Sequence, residues 1–164
     1  MCTPKVIPEL SHRKRQAGSQ VLESGLVLLP LFGFLFLLFD IAWLIFNQGA
    51  LQHAVREGAR YAITGQTVAG LAHDASIKSV VQRNSIGLLA GSAGASKIFI
   101  RYYLPNTLIE TASNAGGNLV EISAEGHSFT PLGAILKSGA PLLLSARAAS
   151  RMEPPPGGVP PPRM

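Results

Sequence analysis

The first strong pattern along the chain is a run of apolar positions over residues 24–46, interrupted only by Asp40. A stretch of about 20 apolar residues is long enough to cross the roughly 30 Å hydrocarbon core as a helix. Pro30 is expected to kink or locally open it, and Gly33 adds compliance. Beyond Phe46 the helical pattern becomes one-sided instead of stopping. Leu51, Ala54, Val55, Gly58, Tyr61 and Ala62 recur on one helical side, Arg56, Glu57 and Arg60 take the other, and no proline intervenes before residue 63. The helix should therefore continue out of the apolar zone and stop at Gly65. A second helix is predicted over residues 68–83, with Leu71, Ile77, Val80 and Val81 as its apolar side. A glycine- and serine-rich linker follows over residues 87–96. Residues 97–104, 118–128 and 142–150 read as strands, with a turn over residues 114–117 between the first two. The fold class is α+β: a long N-terminal transmembrane helix continuing into an exported head made of a second helix and a small antiparallel sheet. Residues 154–162 are too rich in proline and glycine to join that core and read as a mobile tail.

Charge sharpens the picture at one end. The chain of 164 residues carries a formal net charge of +5. Residues 1–18 hold Lys5, Arg13, Lys14 and Arg15 against Glu9, a net +3 that leaves only +2 for the remainder. The basicity is thus local, no basic groove interleaved with aromatics is visible, and nucleic acid is not an expected partner. Positive residues beside a spanning helix stay in the cytoplasm, and no lysine or arginine follows Phe46 until Arg56, so the N-terminus should lie inside. Everything from about Asn47 onward is then exported. A cleaved secretory signal fits less well, because its apolar core is normally about 7–15 residues and small residues are wanted at −3 and −1. Gly49 and Ala50 are preceded at −3 by Asn47 and Gln48. Cys2, the chain's single cysteine, has no internal disulfide partner and lies upstream of the apolar run, where a lipoprotein cysteine would follow it.

Two carboxylates mark the apolar run, Glu23 at its entrance and Asp40 inside it. Ionisable groups at membrane depth are costly and are usually kept because something pairs with them. Gly18, Ser19 and Glu23 stand at −1, +1 and +5 of a spacing that resembles the processing site of type IV pilins and pseudopilins. There a membrane peptidase cuts on the cytoplasmic side and leaves the apolar helix in place. Cutting after Gly18 would discard the basic leader and create an α-amine at Ser19. In an assembled fibre such an amine can pair with the glutamate of a neighbouring subunit, relieving two costly groups at once. A glycine at −1 suits an extended, unhindered backbone in the peptidase.

The segment Ala54-x-Arg56-Glu57-Gly58-Ala59-Arg60-Tyr61-Ala62, with Val21-x-Glu23 and Leu28-Leu29-Pro30-Leu31 before it, resembles the TadE-like family, minor pseudopilins of the tight-adherence (Tad/Flp) pilus system. Pro131-Leu132 and residues 145–153 are similar to the last strand of such proteins. Major Flp pilins are much shorter and carry a tyrosine directly after the processing-site glutamate, where this chain has Ser24, so the resemblance implies a minor subunit. It further implies as partners a prepilin peptidase, other Tad pilus and pseudopilin subunits, an inner-membrane assembly platform and the lipid bilayer. The location implied is the bacterial inner membrane, crossed once. For Asp40 it suggests a contact within a helix bundle during assembly, against the plainer reading of a carboxylate reaching the far headgroups. Arg56, Glu57 and Arg60 are either a solvated face or a subunit contact just above the membrane.

No catalytic arrangement emerges. His53, His73 and His127 are far apart, none belongs to a metal-ligand pair, and Asp74 beside His73 with Ser76 nearby reads as a solvated helix surface. Residues 91–97 lack the glycine-lysine-serine/threonine end of a phosphate loop. No enzyme activity, cofactor or metal is expected. The chain divides into a leader (1–18), a transmembrane helix with its continuation (19–64), a head (65–153) and a tail (154–164). Its function is expected to be assembly or initiation of a Tad-type pilus. The alternatives are an uncleaved bitopic protein whose head binds an envelope partner and, third, a small exported enzyme.

Overall fold

The computed structural model describes residues 13–131, 141–155 and 157–164. The leader before residue 13, with Cys2, and Leu132 of the Pro131-Leu132 pair lie outside the described residues. The fold is α+β, as the hydropathy pattern predicts. Helix α1 (Arg13–Ile63) runs 51 residues without a break through Pro30, about 75 Å at 1.5 Å per residue. Proline lacks an amide, so the ladder loses one bond there while the helical path continues. Helices α2 (His73–Asn84) and α3 (Gly91–Ala95) precede strand β1 (Ile98–Tyr103). Strands β2 (Glu110–Thr111), β3 (Leu119–Phe129) and β4 (Leu142–Arg151) complete an antiparallel sheet in the order β2-β1-β3-β4.

Alternation along the strands puts Ile98 and Tyr102 of β1, Val120, Ile122 and Ala124 of β3 and Ala146 of β4 on one face, where they bury against Leu51, Ala54, Val55, Ala59 and Ala62 of α1 and Ile77 and Val81 of α2. The opposite face is polar. Arg101 lies 3.5 Å from Glu121 and 3.3 Å from Glu125, and Arg147 reaches Glu121 at 3.5 Å. One packed and one solvated face is the usual arrangement for an antiparallel sheet. A bulge between Ala124 and His127 shifts the register of β3 against β4. Gly126 there takes φ 72°, a conformation that favours glycine, and the extra residue keeps Phe129 turned to the buried side.

At Gly58, α1 packs tightly on α2. A Cβ at that position would run into Val81 Cγ2, with Ile122 3.4 Å and Ile77 3.8 Å away. The glycine in the Glu57-Gly58-Ala59 stretch is thus a packing requirement, since a helix-interior glycine otherwise costs about 1 kcal/mol relative to alanine.

Three sequence expectations differ from what is seen. The second helix starts at His73, not residue 68, because Gly70 at φ 79° holds the preceding turn. Part of the expected linker over residues 87–96 is helical, with Gly94 packed so tightly on the Leu89 backbone that a Cβ would collide with it. The third concerns the tail. Where the composition predicts mobility, residues 161–163 run back over the head. His73 N–H donates to Pro162 O (2.9 Å) and Asp74 N–H to Arg163 O (3.3 Å). Ala72 offers α2 no side-chain cap, so tail carbonyls satisfy amides that every helix N-terminus leaves open.

Candidate functional site: the membrane helix and its junction with the head

The first half of α1 has no tertiary support. An 18-residue window within Ser19–Ile63 reaches a mean hydropathy of 2.4 with none of it buried, and among the described residues this is one helix long and apolar enough to cross a membrane. Apart from half-buried Leu44, leucine, phenylalanine and valine side chains from Val21 to Phe46 are exposed all round, the pattern of a helix whose solvent is lipid or other apolar helices. Trp43 and Phe46 stack at 5.3 Å near its outer end, where aromatic rings commonly sit at the headgroup level.

Each predicted site residue can be located on this helix. Gly18 and Ser19 lie inside the helical run, so the backbone at the proposed scissile bond is helical and not extended. Glu23 follows Ser19 by four residues, one turn on and on the same side, and is exposed beside Gln20, Ser24, Val27 and Leu28. Asp40 is half-buried. With Phe39, Ala42, Trp43, Phe46 and Thr130 it lines a cleft of about 570 Å³ where the apolar part of α1 meets the end of β3. The structure therefore brings Asp40 to the base of the head, a placement that linear spacing could not give. Arg56 and Arg60 are exposed on the side of α1 away from the sheet. Arg60 Nη1 lies 3.4 Å from Glu57 Oε1, with side chains 78% and 34% exposed, a pair contributing a few tenths of a kcal/mol. The structure does not bring Glu23, Asp40 and the Arg56 group together; they are spaced along one rod.

Sequence reasoning missed the residues that fix the head to that rod. Gln48 Nε2 donates to Ser145 O (2.8 Å) and Gln52 Nε2 to Arg147 O (3.1 Å). β4 is an edge strand, and its outward carbonyls would otherwise be open to another chain. Two glutamines one turn apart on the buried side of an otherwise apolar stripe were the available signal.

The His73, Asp74 and Ser76 group is structural and not a solvated surface. His73 is fully buried with Nδ1 3.1 Å from Gln66 O, and the Ser76 hydroxyl donates to Ala72 O and accepts from Val68 N–H. Asp74 accepts two bonds from Arg163 (3.1 and 2.9 Å) and one from the Tyr102 hydroxyl (2.9 Å), while the guanidinium lies 4.5 Å over the Tyr102 ring. Burial, and then the Asp74 carboxylate, push the Tyr102 hydroxyl well above its ordinary range, so it stays a donor. No group of three or more histidine, cysteine, aspartate or glutamate side chains suited to a metal occurs among the described residues.

A long unsupported apolar helix carrying a small α+β head on its far end has the build of a membrane-anchored single-pass protein. Residues 18–60 match the model of the TadE-like protein family, the family that the sequence resembles. That family is one of structural, pilus-associated membrane proteins. The match covers the apolar helix, Glu23, Asp40, both glutamines and Gly58, and ends at Arg60. No curated protein and no solved structure matches the chain.

Proposed function

We propose that the chain is a minor pseudopilin that helps assemble or initiate a Tad-type pilus, acting by helix packing and subunit contact. The observation that carries this reading is the TadE-like match over residues 18–60, which takes in an 18-residue apolar stretch of α1 with none of it buried. In this reading the helix lies in the inner membrane with its N-terminus cytoplasmic and its head exported. A prepilin peptidase cuts between Gly18 and Ser19, and the new amine pairs with Glu23 of a neighbouring subunit. The helical backbone at the cut must open locally for the peptidase to act. Asp40 meets other pilus subunits or the assembly platform at the base of the head, and Arg56, Glu57 and Arg60 offer a charged stripe just above it.

Mass analysis of the membrane-extracted protein tests this directly. A mature N-terminus at Ser19 is expected, and an intact Met1 in cells with an active peptidase would remove the processing step. Glu23→Ala should impair pilus assembly while leaving membrane insertion intact; normal pili in that variant would defeat the pairing. The second reading, an uncleaved bitopic protein whose head binds an envelope partner, is favoured by one observation: α1 passes without interruption through the Gly18–Ser19 bond.

A further inference from the structure

One edge of the sheet is left unfinished. β2 pairs with β1 at Tyr102 and Tyr103 alone, so the rest of β1 has no neighbour on that side. Which groups face outward follows from the printed ladder. Glu125 N–H donates to Lys97 O (2.9 Å), and the antiparallel register then turns Phe99 and Arg101 toward β3 and Ile98 and Ile100 toward the open side. No described residue bonds the outward N–H and C=O of Ile98 and Ile100, although Ile98 is only 1% exposed. Buried backbone groups without partners are rare and costly. At β4, by contrast, Gln48 and Gln52 cover the outward carbonyls.

The open edge forms the floor of a groove of about 600 Å³, walled by Ala72, Ala75 and Lys78 of α2 and closed at one end by Arg163 and Met164. Its lining is largely apolar. Asp74, also on the wall, is neutralised by Arg163 at 2.9 Å, whereas no described carboxylate forms an ion pair with Lys78. Among the described residues the groove therefore presents unpaired strand backbone at Ile100, apolar walls and one positive charge, Lys78, without an ion-pair partner.

We infer that the groove beside β1 is a strand-addition site for an extended segment of a different polypeptide, apolar at alternate positions and carrying a carboxylate opposite Lys78. Main-chain bonds to the outward N–H and C=O of part-exposed Ile100 supply the affinity and the walls select the side chains, as in other strand-addition modes. A second copy of this chain fits poorly, and that step rests on the membrane anchoring proposed above. β3 ends beside the apolar part of α1, since Thr130 shares a cleft with Phe39 and Phe46. β1 and β4, both antiparallel to β3, therefore run away from the membrane. Two copies anchored side by side could join their outer edges only in parallel, the less stable pairing; antiparallel pairing would invert one head. A strand from another chain is free to run toward the membrane and pair antiparallel.

Amide exchange on the full chain in detergent micelles tests this, with a synthetic heptapeptide of alternating valine and threonine bearing one central glutamate. Without peptide the Ile100 amide should exchange at least about tenfold faster than that of Arg101, and millimolar peptide should slow it by about the same factor. The peptide N-methylated at its pairing amides should have no effect. Lys78→Glu should weaken the glutamate peptide and favour its lysine counterpart, each by about tenfold. An Ile100 amide already as slow as that of Arg101 at every dilution would mean the chain covers its own edge. Slow exchange that is lost on dilution would mean a second copy does. Either result, or equal effects of the plain and N-methylated peptides, overturns the inference. None of these readouts depends on cleavage at Gly18 or on Glu23, so failure here leaves the pilus reading intact, and the reverse.

Discussion

Placing one methyl group at Gly58 is the sharpest test of how the head is held on the membrane helix. The added Cβ of Gly58→Ala overlaps Val81 Cγ2 and meets Ile122 at 3.4 Å. Val81, Ile77 and Ile122 are all fully buried, so none can swing into solvent to make room. Overpacking of this kind costs about 1–3 kcal/mol, while alanine at an interior helical position returns about 1 kcal/mol of intrinsic propensity. The net expectation is a destabilisation of about 0–2 kcal/mol. Gly49 is the internal control, because it lies in the same helix with nothing within 4 Å of an added Cβ; Gly49→Ala should stabilise by up to about 1 kcal/mol. The pair should therefore separate by roughly 1–3 kcal/mol with opposite tendencies. Urea unfolding of the full chain in micelles, followed by the near-ultraviolet circular dichroism of buried Tyr102, measures both. Combining Gly58→Ala with Val81→Ala should recover about 1 kcal/mol or more relative to the sum of the single changes, because the smaller side chain vacates the overlapping position. Gly58→Ala as stable as Gly49→Ala, or a double variant additive within about 0.3 kcal/mol, would refute the close crossing of α1 and α2.

Three further outcomes are expected. Replacing both Gln48 and Gln52 by alanine strips the caps from Ser145 O and Arg147 O and should destabilise the head by about 1 kcal/mol per bond in the same unfolding experiment; no change would show that water serves those carbonyls equally well. Asp74→Ala leaves Arg163 unpaired and the buried Tyr102 hydroxyl without its acceptor. A loss of about 2 kcal/mol and faster exchange of the backbone amides at positions 73 and 74 should follow as the tail lifts, and unchanged exchange would separate the tail from the ion pair. Acid should weaken the head in two stages. The His127 imidazole is held below its usual 6.5 by burial and then by Lys97, and Glu125 is held below 4.5 chiefly by the Ser123 hydroxyl, then by Arg101. Both groups take up protons more readily when unfolded, so stability falls as pH drops below about 6.5 and again below about 4.5. Thermal unfolding against pH should lose the first step in His127→Gln and the second in Glu125→Gln, and an unaltered profile would contradict the assignment.

The apolar run, the change to a one-sided helical pattern after Phe46, and the alternation in the three longer strands were legible in the sequence because each is a local period imposed by helix or strand geometry. The α+β class and one N-terminal helix long and apolar enough to cross a membrane follow from those periods alone. So does the candidacy of Glu23, a charge at the mouth of an apolar run. The tertiary structure decided matters that depend on residues far apart. It set the fully buried core of Ile77, Val81 and Ile122 against Gly58, turning a helix-weakening glycine into a contact point. It drew Asp40 to Thr130 and sent the glutamines across some 95 residues to the edge of β4. It also laid Arg163 on Asp74, against a composition that argued for a free tail, because proline and glycine restrict which backbone can form but do not forbid carbonyls from capping a helix. Local period is written into neighbouring residues. Which edges are closed, and which one is left open beside β1, depends on three-dimensional proximity that no neighbouring residues encode.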